Sequence, residues 1–127
     1  MKILIFSSNS SSRGGGEKFL IYLTKSLKDL GNNVEIVLST NKYMDTWSRE
    51  FEELNVNIYR YNLKALVQRK LRFVSAILDF YQIKKLKDIC NQIMPNLIIV
   101  NQQYDEDGLD YIKGALSSKI SNVIGFM

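Results

Sequence analysis

Histidine is absent from this chain, and cysteine and proline occur once each, as Cys90 and Pro95. Without histidine there is no Ser-His-Asp triad and no imidazole base within these residues. The commonest zinc ligand is missing too, and one cysteine cannot complete a structural zinc site; no metal and no cofactor is expected. A lone thiol builds no disulfide framework, which fits a reducing compartment. Cys90 stands inside a helical pattern and reads as a small core residue. No apolar run approaches the ~18 residues of a membrane-spanning helix, and the opening apolar run is too short for a signal peptide. The expectation is a cytoplasmic protein. Its chemistry must fall to carboxylates, amides and main-chain groups.

What is present is ordinary for a globular protein: 127 residues, 46% of them hydrophobic and 24% charged, enough for one domain with its own core. The first forty residues organise the rest. Lys2–Ser7 (KILIFS) is a short apolar run, the pattern of a strand buried on both faces of a parallel sheet. A polar passage follows and ends in Gly14, Gly15 and Gly16. From Glu17 the period changes: Phe19, Leu20, Leu23, Leu27 and Leu30 recur at helical spacing. Gly31 stops that helix, and Val34–Leu38 returns as a strand. Such a βαβ unit requires parallel strands and a right-handed crossover.

Three glycines at a helix amino end leave main-chain N–H groups and the positive end of the helix dipole facing outward, a corner suited to phosphate or another anion. The same glycines also suit a tight turn and close helix packing. Glu17, in the first turn, reads as a helix-end stabiliser. There is no G-x-G-x-x-G, no acid ending the second strand and no G-K-[ST] after the glycines. Dinucleotide-binding and P-loop readings are therefore disfavoured.

Asn41–Met44 reads as a loop, and Asp45 or Thr46 caps a short helix through Leu54 with Trp47, Phe51 and Leu54 on one side. Val56–Tyr61 is β-rich and suits an edge strand. From Leu63 to Met94 there is neither Gly nor Pro. Two helices, or one bent near Asp79–Gln82, are expected there, with Val67, Leu71, Val74, Leu78 and Tyr81 as one apolar stripe. Phe73, Ile77 and Phe80 widen it. After Pro95 come a fourth strand, Leu97–Val100, a loop over Asn101–Asp107, a helix over Gly108–Ser117 and a fifth strand, Asn122–Met127.

This alternation predicts an α/β fold: an open, mostly parallel, Rossmann-like sheet of about five strands in the order 3-2-1-4-5, with helices on both faces. Ligands bind such sheets at the carboxyl edge where the order reverses. The glycine loop would there face Asn101, Gln102 and Gln103, whose amides suit hydroxyl-rich ligands and equally suit a polar surface loop. The candidate substrate-binding residues are thus Gly14, Gly15, Gly16, Asn101, Gln102 and Gln103.

Arg60–Lys87 carries eight basic residues against one acid, Asp79, so the entire net charge of +4 resides there. A basic amphipathic helix suits an anionic membrane surface or anionic partner, and it also suits a solvated face. Candidate membrane contacts are Arg69, Lys70, Arg72, Lys84, Lys85 and Lys87. No nucleic-acid-binding signature accompanies the charge, and nucleic acid is not expected as a partner.

MKILIFS, GGGEKFLIYLTKSL and LGNNVEIVLS together resemble the start of the family 4-type glycosyltransferases of GT-B fold. Those open with a strand, a loop ending in G-G-x-E, a helix ending in L-x-x-x-G-H and a strand reading E-V. Asn32 and Asn33 follow Gly31 where the family has its usual histidine, and Asn96 stands where the family's Pro–Asp pair has Asp. The resemblance implies the N-terminal, acceptor-side domain of a two-domain enzyme that moves a sugar from a nucleotide-sugar donor to a glycan or lipid-linked acceptor at the membrane. The nucleotide-sugar is gripped mainly by a C-terminal domain bearing E-x7-E, which these residues lack. The expectation is a shortened form or a natural half, inactive alone. The rival expectation is a non-catalytic binding module or subunit acting with a separately encoded partner.

Overall fold

The computed structural model describes residues 1–7, 15–63, 72–102 and 108–126. Strand β1 (Lys2–Ser7) leads through helix α1 (Gly15–Asp29) to β2 (Asn33–Ser39). A single 3-10 turn (Lys42–Met44) and α2 (Asp45–Glu53) connect to β3 (Asn57–Tyr61). Helix α3 (Arg72–Ile93), β4 (Leu97–Asn101), α4 (Leu109–Leu116) and β5 (Val123–Phe126) complete the described elements. The strands form one five-stranded sheet in the order β3-β2-β1-β4-β5, every pairing parallel. This is the predicted α/β fold, with the predicted order reversal between β1 and β4.

Alternation of side chains along each strand sends neighbouring residues to opposite faces. Ile3, Ile5, Ile36, Leu38 and Ile99 pack with Leu20 of α1 and Trp47 and Phe51 of α2. Leu4, Phe6, Val37, Ile98 and Val100 pack with Leu86, Ile89, Cys90 and Ile93 of α3 and with Tyr111 and Ala115 of α4. Both faces being covered, the central strands read as unbroken apolar runs.

The amino edge of the sheet is fastened by polar groups. Lys2 Nζ donates to the Ile93 carbonyl at 2.7 Å and lies 3.5 Å from Glu35 Oε1, while its main-chain N–H donates to Asn96 Oδ1 at 2.8 Å. Gly31 (φ +82°) closes α1, its N–H donating to the Lys28 carbonyl at 2.8 Å. At the opposite edge Arg60 is committed to bracing: Nε donates to the Ser39 carbonyl at 2.8 Å, and Nη2 bonds Asp45 at 3.0 Å.

Several expectations change. There is no break near Asp79–Gln82, because α3 runs unbroken over 22 residues. It spans roughly 33 Å, about twice the ~17 Å of a five-residue strand such as β4. Its carboxyl end is pinned at the amino edge by Lys2. Phe80 and Tyr81, read as part of the apolar stripe, are 66% and 64% exposed. Phe19 and Leu30 are likewise exposed rather than core. Asn41–Met44 is a loop only in part: its last three residues form the 3-10 turn, with Asn41 Oδ1 accepting from the Tyr43 N–H at 3.2 Å. Gly15 and Gly16 lie inside the first turn of α1, not in the preceding loop.

Candidate functional site

The order reversal puts the ends of β1 and β4 side by side, and their last residues, Ser7 and Asn101, are register partners. Both share strand parity with residues of the α1 face, Ile5 and Ile99, so both side chains lie on that face of the sheet. Ser7 is 1% exposed and Asn101 4%. Gly16 closes the arrangement from above: a Cβ at that position would sit 3.5 Å from Asn101 Nδ2. Glu17, the next residue, is also buried.

The Ser7 hydroxyl finds no hydrogen-bond partner among the described residues. A buried hydroxyl left unpaired costs about 1–3 kcal/mol. Its neighbours are an amide that both donates and accepts and a helix amino end whose dipole favours negative charge. Together they can grip a ligand that carries anionic oxygens or hydroxyls. Among the described residues no cluster of carboxylates or thiols could hold a metal ion.

No family model matches this chain, and no curated protein does. The weight therefore rests on the arrangement of its own residues. Of the predicted site, Gly16 and Asn101 meet, and Gly15 opens the same helix. Gly14 and Gln103 lie outside the described residues. Gln102 points elsewhere: its Oε1 lies 3.5 Å from where a Gly125 Cβ would be, on the α4 side of the sheet. Consecutive residues leaving a strand face opposite ways, so Asn101 and Gln102 do not converge on one ligand. The sequence reading passed over Ser7, although a hydroxyl ending an otherwise apolar strand was a signal for it.

Of the basic residues, Arg69 and Lys70 lie outside the described residues, and Arg72 opens α3. Lys84, Lys85 and Lys87 are exposed on α3. Lys85 turns toward β3: its Nζ stands 6.0 Å over the Tyr61 ring and donates to the Asn62 carbonyl at 3.2 Å. Among the described residues, no helix is long and apolar enough to cross a membrane. Burial pushes the Cys90 thiol up to about 12, far from the range of a reactive thiolate.

Proposed function

We propose that this domain is the acceptor-side half of a GT-B glycosyltransferase, transferring a sugar from a nucleotide-sugar to a glycan or lipid-linked acceptor. The observation that carries the reading is the buried Ser7 hydroxyl, unpaired among the described residues, beside Asn101 at the order reversal, with Asn101 against Gly16 of α1. In this reading the N–H groups of Gly15 and Gly16 stabilise charge that develops on the departing diphosphate, as preorganised donors do. Ser7 and Asn101 fix the orientation of the bound group. The nucleotide-gripping half lies outside these 127 residues, in the same polypeptide or in a separately encoded partner.

We further infer a cytoplasmic protein peripheral to an anionic membrane. Support comes from the exposed Lys84, Lys85 and Lys87 on a segment of strongly basic composition. Long-range attraction of this kind weakens as salt rises.

The test is sugar transfer by the complete enzyme or complex, isolated from its native cells through this domain. Transfer from a nucleotide-sugar is expected, with Ser7→Val and Asn101→Leu each lowering kcat/KM at least about tenfold, the loss of one or more good hydrogen bonds to a reacting group. Isolation of the domain with no nucleotide-sugar-binding half and no transfer would overturn the reading in favour of a binding module.

A further inference from the structure

The turn that leaves the carboxyl end of β2, the strand beside β1, is fixed residue by residue. The Thr40 N–H donates to the Tyr61 carbonyl at 2.9 Å, and the Asn41 N–H donates to Ser39 Oγ at 3.0 Å. Asn41 Oδ1 accepts from the Tyr43 N–H, while the Asn41 carbonyl accepts from the Met44 N–H at 2.9 Å and from Arg60 Nη2 at 3.2 Å. Met44 is buried in the core, so the turn is fastened at both ends. On this frame the Tyr43 ring is 57% exposed, with Lys42 Nζ 5.4 Å from its centroid. A lone exposed ring is ordinary. A ring presented by a preorganised turn at the ligand-binding edge of an α/β sheet has what a binding subsite requires.

The turn also keeps polar groups in hand. Thr40 is exposed, and neither Asn41 Nδ2 nor Lys42 Nζ donates to a group among the described residues. Asp45, the acid that follows in sequence, is engaged by Arg60 at 3.0 Å and leaves the Lys42 charge unanswered. A hydroxyl, an amide donor, an ammonium and an aromatic ring thus stand on consecutive residues, Thr40, Asn41, Lys42 and Tyr43. A ring offers apolar area to the C–H face of a sugar, the hydroxyl and amide match sugar hydroxyls, and the ammonium selects for negative charge. We propose that the Thr40–Tyr43 turn is a subsite for an acidic glycan, a sugar face stacked on the Tyr43 ring and a carboxylate of the glycan paired with Lys42. The proposal rests on the acceptor-side reading above for the role of that glycan, and it names the acceptor's chemistry.

The experiment is a titration of the isotopically labelled 127-residue chain with hyaluronan tetrasaccharide, whose alternate sugars carry carboxylates, followed by nuclear magnetic resonance. Neutral cellotetraose and inorganic phosphate form separate arms. The acidic sugar should give saturable shifts in the Thr40–Tyr43 amides, and cellotetraose should bind the same turn more weakly. Tyr43→Ala should weaken binding about tenfold, as loss of an aromatic anchor does, whereas Tyr43→Phe should keep it. Lys42→Gln should erase the preference for the acidic sugar and leave the neutral one unchanged. Both side chains are exposed, so the melting temperature should hold in every variant. Absence of shifts at the turn with either sugar, or shifts that Tyr43→Ala leaves unchanged, would overturn the subsite. So would an equal response to inorganic phosphate alone, the mark of a bare ammonium–anion contact. Failure of the transferase reading looks different: the turn binds the acidic sugar, yet the complete enzyme transfers nothing. Transfer with a KM for the acceptor that Tyr43→Ala does not move would overturn the subsite and spare that reading.

Discussion

Two residues at the ends of apolar strands, and one inside a helix, show how one polar atom changes the meaning of its surroundings. Ser7 and Asn101 end strands that are buried beyond their first residue, and each keeps its polar group inside the protein where water does not reach it. Burial of that kind is tolerated where a partner arrives from outside or where the fold gains elsewhere. Composition could name Asn101, because its run of amides stands out; Ser7 looks like the last polar residue before a polar loop, and only strand register reveals its neighbour. Cys90 is the contrary case. It was legible as core from its helical spacing, and its buried thiol is held up to about 12 from an ordinary 9.0. The native thiol should therefore react with iodoacetamide at pH 8 at least about a hundredfold more slowly than in urea, since thiolate is the nucleophile and burial also bars access. The linkage has a definite sign. A folded-state pKa above the unfolded value stabilises the native state below about pH 9, and that contribution is lost as pH climbs toward 12. The Tyr59 phenol, raised by burial and by Glu35 beside it, acts in the same direction. Stability measured by urea melts should thus fall across the alkaline range; a flat profile would contradict the buried thiol.

The elements were legible where apolar periodicity and backbone chemistry agreed. All five strands, the stop at Gly31 and the break at Pro95 follow from runs of Ile, Val and Leu between turn residues. Helix α3 was legible in existence but not in its course. Phe80 and Tyr81 extend an apolar stripe, so they read as core, and the polar residues around them read as a bend. The helix instead continues without a break, since nothing in its backbone chemistry interrupts it. The α3–α4 contact holds the more exacting constraint. A Cβ on Gly114 would lie 2.6 Å from Leu86 Cβ and 3.1 Å from the Ile83 carbonyl. Two opposed effects meet there: alanine favours a helix by about 1 kcal/mol over glycine, while overpacking costs about 1–3 kcal/mol. Neither obstructing atom can rotate away, so overpacking wins. Gly114→Ala should lower unfolding stability by about 1–2 kcal/mol, read from the urea midpoint at constant slope. A stabilised variant would show that the two helices are not in this close contact.

At the scale of the whole molecule, strand order does the positioning. Crossovers that proceed one way from β1 and the other way from β4 leave the ends of those two strands uncovered by a connection. That crevice collects the amino end of α1, Ser7 and Asn101. The opposite edge is closed by structural contacts instead, Lys2 with Glu35 and Ile93 and the amides of Asn96 and Asn122 with the main chain. The carboxyl edge at the order reversal holds the buried Ser7 hydroxyl, which has no partner among the described residues. Fold class and edge were readable from the order of elements. The side chains that meet there were readable only in part, because register and face decide them. The central claim is that a polar, anionic group binds at this carboxyl edge. Its most direct measurement is a titration of the isotopically labelled chain with inorganic pyrophosphate, followed by nuclear magnetic resonance. The account predicts saturable shifts in the Gly16 and Glu17 amides and the Asn101 side-chain NH2, abolished by Ser7→Val, with Asn96 and Asn122 unmoved. Shifts that do not saturate, or that centre on the amino edge or on the lysines of α3, would contradict it.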